Sequence, residues 1–380
     1  MSATARGLTL SMCLGQVGNL LPHVVVPAVM IGHLMPLWGL SNAQAGLLAA
    51  AHPAGYMLAV PVLGALTDRI DARLLLLWGS ILSGLFTVAF GLLADDLVSG
   101  MLLSGLAGVA FAGAYMPGLR ALTDRLPAGD HSRSVTLYTS SFSLGVGLSF
   151  LVSQALAQTA GWRVAFVVTG LAPLLMAGAA WRLTGRRPPP RVSPAGLLDF
   201  RPVLRNRPAM GFILGYAAHC FELYGLRAWV VGFWTFVSVH HAGSLNVDPI
   251  TVSVLVTLVG LPASIIGNEW ALKYGRHRAI SVIQLSSCAV ALVIAASTAL
   301  PAPWLLGLVL LYAFTVVADS GSLTAGMSAA AESDYKGITM ALHSTLGFGF
   351  SALAGWALGF ALDVAGGSDT PAGWSAAFVV

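Results

Sequence analysis

The chain has 380 residues, 57% of them apolar and only 9% charged, with a mean hydropathy of +0.81. Soluble proteins carry about 25% charged residues, and 19 basic plus 15 acidic side chains cannot clothe a water-facing surface of this size. Soluble globular and disordered classes are excluded, and an all-α polytopic membrane protein is predicted, with room for roughly a dozen spans of about 20 apolar residues each.

Apolar runs predict spans at 8–36, 42–66, 74–94, 98–120, 134–158, 163–183, 209–239, 249–271, 279–299, 304–329 and 338–364, with a twelfth opening at 373. An ionisable group inside a span costs about 2.5–3.5 kcal/mol on insertion scales, so each one is a functional candidate. Span 1 carries Gln16, Asn19 and His23 at i, i+3, i+7, a single helical face. Span 2 carries His52, span 4 Tyr115 and span 5 Gln154. Span 7 carries His219 and Glu222 at i, i+3, with Arg227 beyond them, and span 10 carries Thr315, Asp319 and Ser322 at i, i+4, i+7. Span 11 offers His343. Plainer readings stand beside these. Gln16, Asn19 and His23 are also suited to interhelical hydrogen bonding, Glu222 to an ion pair with Arg227 or another buried base, and Asp319 to a bond with nearby backbone or Ser322. Arg227 either attracts an anionic substrate or neutralises Glu222, and the sequence leaves both open.

Charge sorts the loops into two sides. Of the 19 basic residues, 17 fall on one side, among them Arg6, the group Arg182–Arg207, Lys273 and Lys336; only Arg163 and Arg227 lie elsewhere. The positive-inside rule places that side and both termini in the cytoplasm. The basic excess is thereby accounted for by topology and lipid headgroups, and nucleic acid is not a predicted partner. Cys13, Cys220 and Cys288 sit in separate spans without metal spacing. Met30, His33 and Met35 read as packing. Phosphate loops, zinc spacings and nucleophile elbows are absent from the sequence, so no enzyme, metal or cofactor is predicted.

The polar stretch 184–208 divides an N-terminal six-helix bundle, 1–183, from a C-terminal bundle, 209–380. The halves echo each other: Gly161-Trp-Arg-Val-Ala-Phe-Val-Val168 and Gly373-Trp-Ser-Ala-Ala-Phe-Val-Val380 share six of eight positions. By that repeat residue 373 starts helix 12, which is expected to be incomplete in this chain.

Two six-helix halves, a basic central linker and cytoplasmic ends resemble the major facilitator superfamily (MFS) of secondary transporters. Gly64-Ala-Leu-Thr-Asp68-Arg69-Ile-Asp71-Ala-Arg73 is similar to the family's loop signature between helices 2 and 3, with Asp71 in place of its second glycine and the last basic residue one place late. The second-half copy, Gly267 through Arg276, has Leu272 where an aspartate is expected. The resemblance implies that helices 1, 4, 7 and 10 line a central cavity, and three of these four carry the polar stripes. It further implies a gating latch of Asp68, Arg69, Arg73 and Asp124, with Asp68 capping the start of helix 11 and Arg73 pairing with Asp124. The implied activity is transport of a small solute or ion by alternating access. The protein is expected to be a monomer amid membrane lipids in a bacterial-type cytoplasmic (inner) membrane. Proton coupling is expected at Glu222 first and Asp319 second, with His219 one turn from Glu222 as relay, because a carboxylate in a dry cavity can exchange a proton near neutral pH. Two alternatives remain: a multidrug-type proton antiporter, weakened by the lack of proline in span 5, and a non-transporting receptor or scaffold.

Overall fold

The computed structural model describes residues 3–67, 69–126, 131–184, 199–241, 245–332 and 335–380, and all regular structure among them is helical. Helix α1 runs over Ala3–Leu20, bends by 46° and resumes over Val25–Trp38. The other helices of the first half are α2 (Asn42–Leu66), α3 (Ala72–Leu93), α4 (Leu97–Thr123), α5 (His131–Ala160) and α6 (Trp162–Arg182). A one-turn helix, Arg201–Arg205, leads into α7 (Arg207–His240), followed by α8 (Pro249–Tyr274), α9 (Arg276–Ala296), α10 (Ala302–Ala330), α11 (Lys336–Val364) and α12 (Pro371–Val379).

Nine of the described helices are long and apolar enough to cross a membrane, and the bent α1 makes a tenth. α7 has the length, 34 residues, but its polar and charged side chains lower its apolarity. Polar caps mark where helices meet the headgroup region. The Ser41 hydroxyl accepts from the Gln44 amide at 3.3 Å, the Asp71 carboxylate from Arg73 N at 2.9 Å, and Asp248 from Thr251 N at 3.0 Å. Each such cap is worth about 1 kcal/mol. At Asp96 the Ser99 hydroxyl, 2.6 Å away, together with the Ser99 amide, holds the exposed carboxyl below its usual range.

The predicted continuous span 8–36 is corrected by this structure. Proline has no N–H, so Pro22 and Pro27 remove the helical bonds to Gly18 and His23. The chain turns instead through tighter bonds, Leu21 N to Gly18 O at 3.3 Å and His23 N to Leu20 O at 3.0 Å, and a π-helical turn follows over Met30–Leu34. α4 slackens at Gly113–Ala114, and α10 breaks at Asp319.

The packing of the two halves is equivalent, pair by pair. α1 lies on α5 as α7 lies on α11, α2 on α4 as α8 on α10, and α3 on α6 as α9 on α12. The repeated Gly-Trp motif marks the same place twice. Trp162 meets Trp38 and Phe90 with ring centroids 6.0 and 6.4 Å apart, and Trp374 meets Trp229 and Phe233 at 6.4 and 5.2 Å.

The halves touch along α2–α11 and α5–α8. α2 and α11 cross closely at one end, where a side chain on Gly46 would strike the carbonyl of Gly355 and one on Gly359 that of Asn42. Midway, Tyr56 stacks on Phe348 at 3.9 Å. Toward the basic end the helices part: no atom lies within 4 Å of a side chain placed on Gly64, and a cavity of about 250 Å³ opens among Gly64, Arg120, Val135, Met340 and Ser344. Of the linker, residue 184 and residues 199–208 are described; there Val203 is buried with Phe212 and Ile280, and Asn206 donates to the carbonyl of Ala330 at 2.9 Å.

Candidate functional site

Two polar clusters occupy the interior, both built on α7. The first lies inside the second half. His219 Nδ1 is 2.8 Å from Asp319 Oδ1, and both side chains are almost wholly buried. The contact is short but poorly aligned for a hydrogen bond. A ring nitrogen and a carboxylate oxygen this close repel unless a proton lies on one of them, which an Nδ1–H imidazole or a protonated carboxyl supplies. Gln284 Nε2 of α9 donates to Asp319 Oδ2 at 2.9 Å and to the Gly215 carbonyl at 3.1 Å. One turn along α7, Glu222 Oε1 accepts from the Ser287 hydroxyl at 2.5 Å, and Thr315 donates to Ser287 at 3.3 Å. The Tyr312 hydroxyl is a further partner of Glu222. His219 is therefore engaged by Asp319 rather than by Glu222, and Glu222 rests on α9 and α10 hydroxyls. Asp319 sits at the α10 break, where its backbone leaves the regular helix.

The second cluster bridges the halves. His23, in the α1 bend, has its Nε2 3.2 Å from the Tyr224 hydroxyl of α7. Its ring lies edge-on to His52 of α2 at 5.2 Å and within 5.4 Å of Phe111 and Phe142. Arg227 is 9% exposed, and its guanidinium lies 5.6 Å from the Phe142 ring and 5.3 Å from Tyr224. None of the ion pairs among the described residues includes it. Of the two readings of Arg227, neutralising Glu222 is thus not realised in this structure. His23, His52, Tyr224, Arg227 and Ser351 line a cavity of about 40 Å³, room for a few waters and no more. Tyr115 packs beside it, 5.2 Å from Phe142.

The remaining polar candidates are more scattered. Gln16 accepts from the Tyr138 hydroxyl of α5 at 2.9 Å. Asn19, Gln154 and Ser322 are buried, and their polar side-chain atoms find no hydrogen-bond partner among the described residues. His343 stacks on Tyr216 at 3.8 Å, a place between α11 and α7 rather than in the bridging cluster.

The family model of the Major Facilitator Superfamily matches residues 12–380. The chain belongs to this superfamily. Among curated relatives, the 4-hydroxybenzoate transporter of Acinetobacter baylyi is 29% identical over 37% of this chain and 30% of its own length. The gallate transporter of Pseudomonas putida is 30% identical over 42% of this chain and 35% of its own length. The probable L-galactonate transporter of Escherichia coli is 22% identical over 72% of this chain and 65% of that protein. The chain thus covers about a third of the first two relatives. Among solved structures, a bacterial homologue of the human lysosomal transporter Spinster, inward-facing, superposes with a TM-score of 0.75 at 18% identity, covering 96% of this chain and 84% of that one. A D-xylose–proton symporter gives 0.74 at 14% identity, covering 98% and 94%. These likenesses show the fold. The protein is a multi-pass membrane protein of the MFS.

The MFS loop signature is placed in part. Asp68 lies outside the described residues, and Arg69 is exposed. The expected Arg73–Asp124 pair is not formed: Arg73 donates to the Trp181 carbonyl at 3.2 Å, and Asp124 is held by Arg120 at 2.8 Å. The bridge from the loop to the chain just past the end of α4 runs from Asp71 to Arg125 at 2.8 Å instead. Asp71 occupies the position of the signature's second glycine, so the departure from the signature supplies the anion that pairs. Sequence reasoning missed Gln284 and Ser287, although polar residues at i, i+3 in the apolar run of α9 were a usable signal. Tyr224 and Phe142 gave no signal, since aromatic residues in spans are common.

Proposed function

We propose that this MFS transporter is a proton-coupled carrier of a small organic carboxylate. One observation carries the substrate class: Arg227 is buried in an aromatic enclosure drawn from both halves, and it forms no ion pair among the described residues. A cation kept in a low-dielectric interior without a counter-anion is costly, and a substrate carboxylate would offset that cost while fitting the guanidinium fork. Tyr224 and His23 would orient the anion, and Phe142 and Phe111 would cover its apolar body. The named substrates of the relatives above, 4-hydroxybenzoate, gallate and galactonate, are all carboxylates.

The His219–Asp319 pair is the proposed proton carrier, with Glu222 as a second acid beside it. Both sit on or against α7, which also bears Arg227, so proton and anion act on one helix about 12 Å apart along its axis (eight residues at about 1.5 Å each). The halves 1–183 and 209–380 would rock about this site, within a cytoplasmic membrane whose inner side faces the basic loops. The test is uptake into proteoliposomes under a pH gradient, comparing 4-hydroxybenzoate with its neutral amide. Arg227→Ala is expected to weaken carboxylate affinity by about 10- to 100-fold, the loss of one or two charge-assisted bonds. Equal transport of acid and amide by the unaltered protein would overturn the reading.

A further inference from the structure

At the end of the molecule remote from the basic loops, a carboxylate of one half occupies the helix terminus of the other. Asp363, near the end of α11, accepts from Asn42 N at 3.0 Å, from Asn42 Nδ2 at 2.8 Å and from Ala43 N at 2.8 Å. The first turn of α2 leaves its leading amides without helical partners. Ser41, the N-cap of α2 itself, takes the Gln44 amide, and the Ala45 amide bonds to the Ser41 carbonyl at 2.9 Å. The remaining two, on Asn42 and Ala43, belong to Asp363. The capping of α2 is thus completed only when the halves are closed at this end. The Gly46–Gly355 and Gly359–Asn42 approaches lie directly beneath the contact, so separating α2 from α11 there breaks all three bonds at once.

We propose that Asp363 is a latch that holds this end of the carrier shut, stabilising the state in which the site opens toward the basic loops. The carboxylate faces a positive helix end and three donors; when the halves part, water replaces each of them. The latch is electrostatic and partly solvated, strong enough to bias the alternation without arresting it. It rests on alternating access alone and not on the carboxylate reading, so either can fail without the other.

The test measures the conformational equilibrium without substrate. In a background with Cys13, Cys220 and Cys288 replaced by serine, spin labels at Val98→Cys and Trp304→Cys report the separation of α4 and α10 at this end, where both native side chains are exposed. Asp363→Ala is expected to raise the open, long-distance population by about two- to fivefold, as a helix-end charge contact implies, and Asp363→Glu to restore the native distribution. Ala43→Pro provides an independent arm. Proline is tolerated in the first helical turn but deletes the amide that meets Asp363 Oδ2, so the same shift is expected, and it should not add to that of Asp363→Ala. Distance distributions that superpose on the parent in Asp363→Ala and Ala43→Pro, whatever their melting temperatures, would overturn the latch and leave Asp363 a cap that merely stabilises α2.

Discussion

Asp319 shows what a single residue could and could not disclose in the sequence. An aspartate inside an apolar run is conspicuous, because its insertion cost must be recovered somewhere. Its partner was less plain: His219 lies one turn from Glu222 on the same helix, yet it faces Asp319 across the α7–α10 contact. Spacing along one helix finds a face, while pairing depends on how two helices are rotated against each other. The structure makes the role testable. Asp319→Asn keeps the shape and the bond from Gln284 but removes the exchangeable proton. Under the coupling proposed above, pH-driven accumulation should fall to the level of simple equilibration, while exchange of labelled for unlabelled substrate stays within about threefold of the parent. Truncation to alanine is a poorer probe, since removing one member of a buried charged pair costs about 3–5 kcal/mol of stability and would confound transport with folding. Full accumulation by Asp319→Asn would move the coupling role to Glu222.

At the scale of an element, α1 is the instructive case. Apolar periodicity marked a span over 8–36, and the stripe of Gln16, Asn19 and His23 was legible on its face. The periodicity does not disclose the bend, which Pro22 and Pro27 cause by removing backbone donors. The 46° change of direction places His23 in the gap between the two segments, where its ring reaches Tyr224 of the other half. On an unbroken helix, His23 would continue the Gln16 face toward α5, where Gln16 meets Tyr138. The prolines therefore exchange local stability for position. Replacing both, Pro22→Ala with Pro27→Ala, would restore two backbone bonds worth about 1 kcal/mol each. The expected result is a melting temperature equal to or above that of the parent, together with at least a tenfold loss of transport. A loss of both stability and transport would instead mean that the bend is needed for packing.

For the whole molecule, the two-half architecture could be read from the Gly-Trp repeat and the linker, because a duplicated motif must occupy duplicated positions. The state could not be read that way. One sequence encodes every conformation a protein visits, and under alternating access the difference between them would lie in which end of the α2–α11 contact is closed. Here the end bearing Ser41 and Asp363 is closed, and the end bearing Gly64 and Met340 is parted. Assigning these ends to sides of a membrane rests on charge alone, since the basic loops cluster at the parted end and translocating them is unfavourable. This yields a prediction independent of substrate and coupling. In the cysteine-free background, Asp95→Cys, on the α3–α4 loop and exposed with its partner Arg163 at 2.7 Å, should react with a membrane-impermeant maleimide in intact cells. Lys273→Cys, exposed near the end of α8, should react only after the cells are opened. The loss of the Asp95–Arg163 pair is tolerable, because exposed ion pairs contribute about 0–1 kcal/mol. The reverse labelling pattern would invert the molecule in the membrane, and the latch at Asp363 would then close the cytoplasmic side.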